Sequence, residues 1–261
     1  MIIERKSYNF ETMTRVEDGN RKFLFDGITE LFYSPEIMSG AKEKIEMVRE
    51  FLEENPEYSF VLYFNHISFN DPAVLVHVAN LLNPKGEWHL LVPMSYSHVD
   101  TKSVKGFLSS LGMNVVKACG IEAIPVVQTY QLNNPRYGYT AEEARQTYVN
   151  YVHRLKELKR SNTPTGVLIS PEGHRSDTGK MMVAESGMVA AGRLLAPVVY
   201  VPLAVSYEGK FKRDGINIGK KMWINIGEVT VQENPREYPS VEELMKKLAV
   251  ALPEEMRGVW G

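Results

Sequence analysis

The stretch "SFVLYFNHISFNDPAVLVHVANLL", residues 59–82, sets a short apolar run, a polar turn and a longer apolar run end to end. "FVLYF" has the length and aromatic content of a buried strand, while "NDPAVL" opens a helix with Asp71 at the cap and Pro72 at the first helical position. A strand running into a capped helix is the opening unit of a parallel α/β sheet. His66 falls in the turn between them. Ligands in open α/β sheets bind at the carboxyl ends of the strands, where this turn lies. A histidine beside a carboxylate is held in one tautomer and its protonated form is stabilised, as a general base toward a hydroxyl requires. The competing reading is that Asp71 serves only as a helix cap.

The same alternation continues along the chain. After residue 82 come "HLLVPM", "VKGFLSSLG" and "MNVV", then a long connection from Lys117 to Tyr139 with Pro125, Pro135 and Gly138. The helix "AEEARQTYVNYVHRLKELKR" follows, then "GVLIS", "ESGMVAAGRLLA" and "VVYVPLAV". The order predicts an α/β fold, a mostly parallel central sheet flanked by helices. "MWINIGEVTV" adds period-two character, and "SVEELMKKLAVAL" a closing helix. Upstream, Leu24, Ile28, Leu31 and Phe32, then Ile37, Ala41, Ile45, Val48 and Leu52, recur at helical spacing. They predict an N-terminal pair of amphipathic helices over residues 1–56, separated by "SPE" at 34–36, before an α/β domain over residues 57–261. The aromatic face of that pair, with Phe23, Phe25, Phe32 and Tyr33, either packs on the main domain or touches lipid, and packing is the preferred reading.

Composition narrows the function classes. Hydrophobic residues make up 44% of the 261 and charged residues 24%, the balance of an ordinary folded protein. Thirty Lys+Arg against 32 Asp+Glu give a net charge of -2, so the global basic field of a nucleic-acid binder is missing and any anion site must be local. Cys119 is the sole cysteine, so no internal disulfide forms. "MIIERKSYNF" carries charges where a signal peptide needs an apolar stretch, and the expectation is a cytoplasmic location, with peripheral contact at the inner face of the cell membrane left open. The most apolar segment, "LLAPVVYVPLAVSY", is too short to span a bilayer and holds Pro197 and Pro202; it reads as a buried strand.

A second loop carries chemistry. In "LISPEGHRSDTGKM", residues 168–181, a strand runs into Glu172, Gly173, His174, Arg175 and Lys180. Gly173 lets backbone approach a ligand, and Arg175 offers a planar fork suited to phosphate. Glu172 would hold that guanidinium or accept a ligand hydroxyl. A nucleotide P-loop is set aside, because Gly173 and Gly179 stand one residue too far apart and Met181 occupies the Ser/Thr position that magnesium needs. Both loops follow parallel strands, so both are expected at one edge of the sheet.

Together the two loops resemble the glycerolipid acyltransferase family, the 1-acylglycerol-3-phosphate and glycerol-3-phosphate acyltransferases. Asn65, His66, Ser68 and Asp71 are similar to its "NHxSxxD" block, and Pro171, Glu172, Gly173, Arg175 and Ser176 to its "FPEGTRS" block. Ser170 stands where Phe is usual and His174 where Thr is usual. The family's second block is loosely echoed by Gly106, Phe107 and Lys117. "APVVYVPLAV" and "INIGEV" are similar to later family strands, so the resemblance covers about residues 58–231. The N-terminal helices, in place of the membrane spans of many relatives, resemble the soluble plant-plastid glycerol-3-phosphate enzymes.

The resemblance implies an O-acyltransferase of phospholipid biosynthesis that needs no cofactor and uses acyl-CoA or acyl-carrier protein as co-substrate. The expected acceptor is lysophosphatidate, or alternatively glycerol-3-phosphate. His66 is the expected general base and Asp71 its partner, while Glu172, Gly173, Arg175 and Lys117 are expected to bind the acceptor phosphate. Ser68 and Cys119 lack a G-x-S-x-G elbow or another activating motif and are not read as nucleophiles. A different class, a metal-dependent phosphoesterase, would use His66, Asp71, Glu172 and His174 as ligands; a third is a lipid-binding protein that has lost activity. His77 reads as packed on its helix, and His89, His98 and His153 have no partner at metal-ligand spacing. The basic helix over 145–160 would attract anionic lipid or coenzyme A phosphates, or present a solvated face, and the solvated face is preferred.

Overall fold

Six consecutive residues, Ser59–Phe64, are buried from end to end, which demands cover on both faces of the strand they form. A computed structural model of the chain describes residues 35–68, 70–98, 120–132, 134–135, 137–208 and 221–261. Among these, eight strands make one mostly parallel sheet: β1 (Pro35–Ile37), β2 (Ser59–Phe64), β3 (His89–Ser95), β4 (Ile121–Val126), β5 (Thr165–Ile169), β6 (Val198–Tyr207), β7 (Met222–Ile226) and β8 (Thr230–Gln232). Their order is β1-β7-β6-β2-β5-β3-β4, with β8 beside β6. The flanking helices are α1 (Ser39–Glu54), α2 (Asp71–Leu82), α3 (Ala141–Arg160), α4 (Gly187–Leu195) and α5 (Val241–Val250). The chain is therefore α/β, as its pattern predicts.

Alternation along β2 feeds two cores. Phe60, Leu62 and Phe64 pack in a cluster with residues of α1 and α2, while Val61 and Tyr63 pack with residues of α3, α4 and α5 on the opposite face. Gly166 in β5 lets the two sides close, since a Cβ there would collide with the Phe60 ring and with Leu90. α3 starts on a capping box in which Thr140 and Glu143 satisfy each other's backbone N–H. Its basic residues are partly paired along the helix: Arg145 with Glu142 and Arg154 with Glu157. No described helix is long and apolar enough to cross a membrane.

Three local expectations change. "SPE" was expected to start a helix, but Pro35–Ile37 is an edge strand parallel to β7, and the helix begins at Ser39. An edge strand tolerates a proline, whose missing N–H costs no ladder bond there. The α1 stripe Ala41, Ile45, Val48 and Leu52 is buried as spaced and packs in the same core as β2, β6 and β7, the packing preferred for it. The first expected helix, including its aromatic face, lies outside the described residues, as do "VKGFLSSLG", "MNVV", Gly106, Phe107, Lys117 and Cys119. Second, the connection from Lys117 to Tyr139 contains β4, whose Pro125 read as a turn signal but sits at the other sheet edge against Met94. Third, "MWINIGEVTV" is two strands, each antiparallel to β6, broken where the Gly227 N–H donates to the Pro202 carbonyl at 2.9 Å.

At the edge away from the loops described below, His89, Glu122 and Arg154 tie β3, β4 and α3 together. Arg154 Nε and Nη2 donate to the Glu122 carboxylate at 3.0 to 3.1 Å, and His89 Nε2 lies 2.5 Å from Glu122 Oε2. Burial pushes the Glu122 pKa up, but the hydrogen bonds from His89 and Arg154 outweigh it and hold the carboxyl below its usual range. Stability from this group is present above the unfolded pKa of 4.5 and is lost as pH falls through the lower folded value. Glu122→Gln is expected to cost about 2 kcal/mol near neutral pH, with the gap narrowing below about pH 4, measured by denaturant titration across pH.

Candidate active site

β2 and β5 are adjacent and parallel, with Phe60 beside Gly166 and Tyr63 beside Ile169, so the turns that follow them open side by side at the carboxyl edge. The first turn is built by side chains standing in for backbone. Asn65, fully buried, continues the β2–β6 ladder: its Nδ2 donates to the Val205 carbonyl and its Oδ1 accepts the Val205 N–H, both at 2.9 Å. Ser68 Oγ accepts from the Asn70 N–H and side-chain amide, and the serine is fully buried. It closes the turn and is not displayed for attack.

Asp71 organises the remainder. The helix N-cap is Asn70, so Asp71 is the first helical residue rather than the cap, and its carboxylate turns back into the loop. Oδ2 accepts the N–H groups of Ile67 at 2.6 Å and Ser68 at 2.8 Å, and it accepts His66 Nδ1–H at 2.9 Å. Oδ1 accepts the Tyr207 hydroxyl, delivered from the end of β6. With Nδ1 donating, the neutral His66 ring carries its lone pair on Nε2. The His66 side chain is 22% exposed while Asp71 is fully buried, so the imidazole meets solvent and its partner carboxylate does not. Phe64 packs edge-on against the imidazole, 5.6 Å between centroids.

The second turn is fastened directly to the first, for the Ser176 N–H donates to the His66 carbonyl at 2.8 Å. Gly173 sits at φ 72°, a left-handed conformation that suits glycine. The Glu185 N–H binds the Pro171 carbonyl at 2.8 Å and Ser176 Oγ donates to the Lys180 carbonyl at 2.7 Å, so both ends of the loop are held. Arg175 is half-buried beside Tyr130, whose phenol feels its charge.

Glu172 behaves differently from its expected role as a guanidinium partner. It is 2% exposed, and neither carboxyl oxygen has a hydrogen-bond partner among the described residues. Burial pushes its pKa up to about 9; the Met182 N–H pulls against that, and the nearby Asp71 charge adds a smaller push upward. At neutral pH Glu172 is therefore a carboxylic acid with an O–H to donate. Ser170 Oγ is likewise buried without a partner among the described residues.

Of the expected site residues, His66 and Asp71 come together with Glu172, Gly173 and Arg175, while Lys117 lies outside the described residues. Sequence reasoning missed Asn65 as a structural clamp and Tyr207 as a donor to Asp71; no local signal marks a tyrosine at the end of an apolar strand. It also missed a row of rings, Tyr96, Tyr139, Tyr137, Tyr130 and His174, in which successive centroids are 4.8 to 6.1 Å apart. Among the described residues, no cluster of three or more His, Cys, Asp or Glu side chains is arranged to hold a metal ion. No family model matches the chain, and no curated protein matches it.

The raised Glu172 pKa has a measurable sign. Below pH 4.5 the carboxyl is protonated in both folded and unfolded chains; above it the unfolded chain releases the proton while the folded chain keeps it toward about pH 9. Stability therefore declines across that window. Glu172→Gln, which stays neutral, is expected to melt above wild type near pH 8.5 and together with it near pH 4, followed by calorimetry.

Proposed function

We propose that the chain is an O-acyltransferase that moves a fatty acyl group from a thioester to the free hydroxyl of 1-acyl-sn-glycerol-3-phosphate, giving phosphatidate. The observation that carries this reading is the exposed His66 imidazole, backed by a buried, fully hydrogen-bonded Asp71 and joined to the Glu172–Arg175 loop by the Ser176 N–H. A base and an anion grip held by one backbone bond suit a substrate that carries a hydroxyl and a phosphate a few atoms apart.

His66 Nε2 removes the hydroxyl proton as that oxygen forms its bond to the thioester carbonyl carbon. Asp71 stabilises the imidazolium that results. The tetrahedral intermediate collapses with loss of the thiolate, which takes the proton from Nε2, so the histidine ends the cycle neutral. No acyl-enzyme is needed, consistent with a Ser68 locked in its turn. Arg175 grips the phosphate and turns remote binding energy into orientation of the hydroxyl. The reading carries with it a cytoplasmic site of action, against the inner face of the cell membrane where a lysolipid acceptor resides.

The test offers the purified protein labelled acyl-CoA or acyl-carrier protein with lysophosphatidate or glycerol-3-phosphate, with and without chelator. Transfer to lysophosphatidate that is indifferent to chelator is expected. Preference for glycerol-3-phosphate would change the acceptor, and loss with chelator would favour the metal-dependent class. His66→Ala is expected to lower kcat by roughly a thousandfold; a near wild-type rate would remove the histidine from the chemistry. Arg175→Ala is expected to raise the acceptor KM by about tenfold or more and to affect the thioester KM far less, and the reverse pattern would locate the phosphate elsewhere.

A further inference from the structure

His174 stands between Gly173 and Arg175 in the "SPEGHRS" loop, and its ring is fixed on two sides. Nδ1 lies 3.1 Å from the Glu172 carbonyl oxygen. A carbonyl only accepts, so Nδ1 must carry the hydrogen and the neutral ring presents a bare lone pair at Nε2. The plane of the ring rests on Tyr130 at 4.8 Å and 36°. The imidazole is half-buried, so its free edge is neither swallowed by the core nor loose in solvent. The same loop leaves Ser170 Oγ and both Glu172 oxygens buried without partners among the described residues.

A phosphate ester near neutral pH is mainly a dianion that accepts hydrogen bonds and donates none. Facing neutral His174 it would set an oxygen lone pair against the Nε2 lone pair. Facing the imidazolium it would gain a charge-assisted hydrogen bond. We propose that His174 binds the acceptor phosphate through Nε2–H in its protonated form, so that acceptor binding takes up a proton. This rests on the acceptor reading above.

The groups around the ring set the balance. The Tyr130 face favours the cation and the neighbouring Arg175 charge opposes it. Tyr130 itself packs on Tyr137, and its phenol is held up in pKa by burial first and by Tyr137 next, so the aromatic side contributes no anion at neutral pH. Glu172 is neutral there and contributes none either. The Asp71 carboxylate already accepts four protein hydrogen bonds, and Glu185 approaches the loop at Gly173.

Calorimetric titration with hexanoyl lysophosphatidate, a water-soluble probe, at pH 7.5 in buffers of different ionisation heat reads the protons taken up. Wild type is expected to take up about half a proton or more per ligand, beyond the ligand's own ionisation, which is common to all variants. His174→Gln is expected to lose that uptake and to bind about tenfold more weakly at pH 6.5. His174→Arg, a permanent donor, is expected to restore binding with no uptake, which a role in packing alone would not produce. Equal uptake in wild type and His174→Gln, or no recovery in a folded His174→Arg, would overturn the proposal. Acyl transfer by the same wild-type preparation is measured beside it. Absence of transfer would sink the acyltransferase reading while the calorimetry still decides whether His174 grips phosphate.

Discussion

A carboxylate with no exposed surface is costly to desolvate, by several kcal/mol even after relaxation, unless enough donors surround it. Asp71 has four, two from backbone, one from His66 and one from Tyr207, each worth about 1.5 to 3 kcal/mol as a charge-assisted bond. Much of the local architecture follows from meeting that demand. The turn after β2 must fold back so that Ile67 and Ser68 point their N–H groups inward, which leaves His66 at the rim with Nε2 outward. β6 must run past the end of β2 so that Tyr207 reaches the second oxygen, and Asn65 fastens the overhang by pairing with Val205.

The sheet order then decides what the histidine faces. Because β5 lies directly beside β2, the loop from Ser170 to Ser176 opens next to the His66 turn, and a single backbone hydrogen bond sets their spacing. A sheet in which β5 stood at an edge would separate the base from the arginine. Burial on both faces of β2 gives the site a rigid floor, since neither flanking helix layer can shift without opening a core.

Two carboxyl groups in one site have opposite states for physical reasons visible in their surroundings. Asp71 is ringed by donors and suits a charge. Glu172 is buried among groups that give it almost none, and a second charge near Asp71 would meet repulsion, so it keeps its proton. Pairs held in different protonation states are a frequent basis for acid and base work in one pocket.

Much of the fold was legible in local pattern. β2, β3, β5, β6, α3 and the α1 stripe follow from apolar runs and spacing, while local signals left the pairing of His66 with Asp71 open against a plain helix cap, and the second loop and the family resemblance favoured it. The misreadings fall where a residue's meaning depends on its place in the sheet. Pro35 and Pro125 lie in edge strands, where the missing N–H costs nothing, and "MWINIGEVTV" breaks only because Gly227 donates to Pro202. Asp71 looked like a cap because its neighbours along the chain are those of a cap; its true donors include Tyr207, 136 residues away. The sequence by itself determined the α/β class and the chemical types gathered in the two loops, since periodicity and turn residues act over a few positions. Only the tertiary structure decided that Glu172 is neutral, that Tyr207 serves Asp71 and that the His174 ring rests on Tyr130. Burial and long-range register set those properties, and neither is a property of a local stretch of chain.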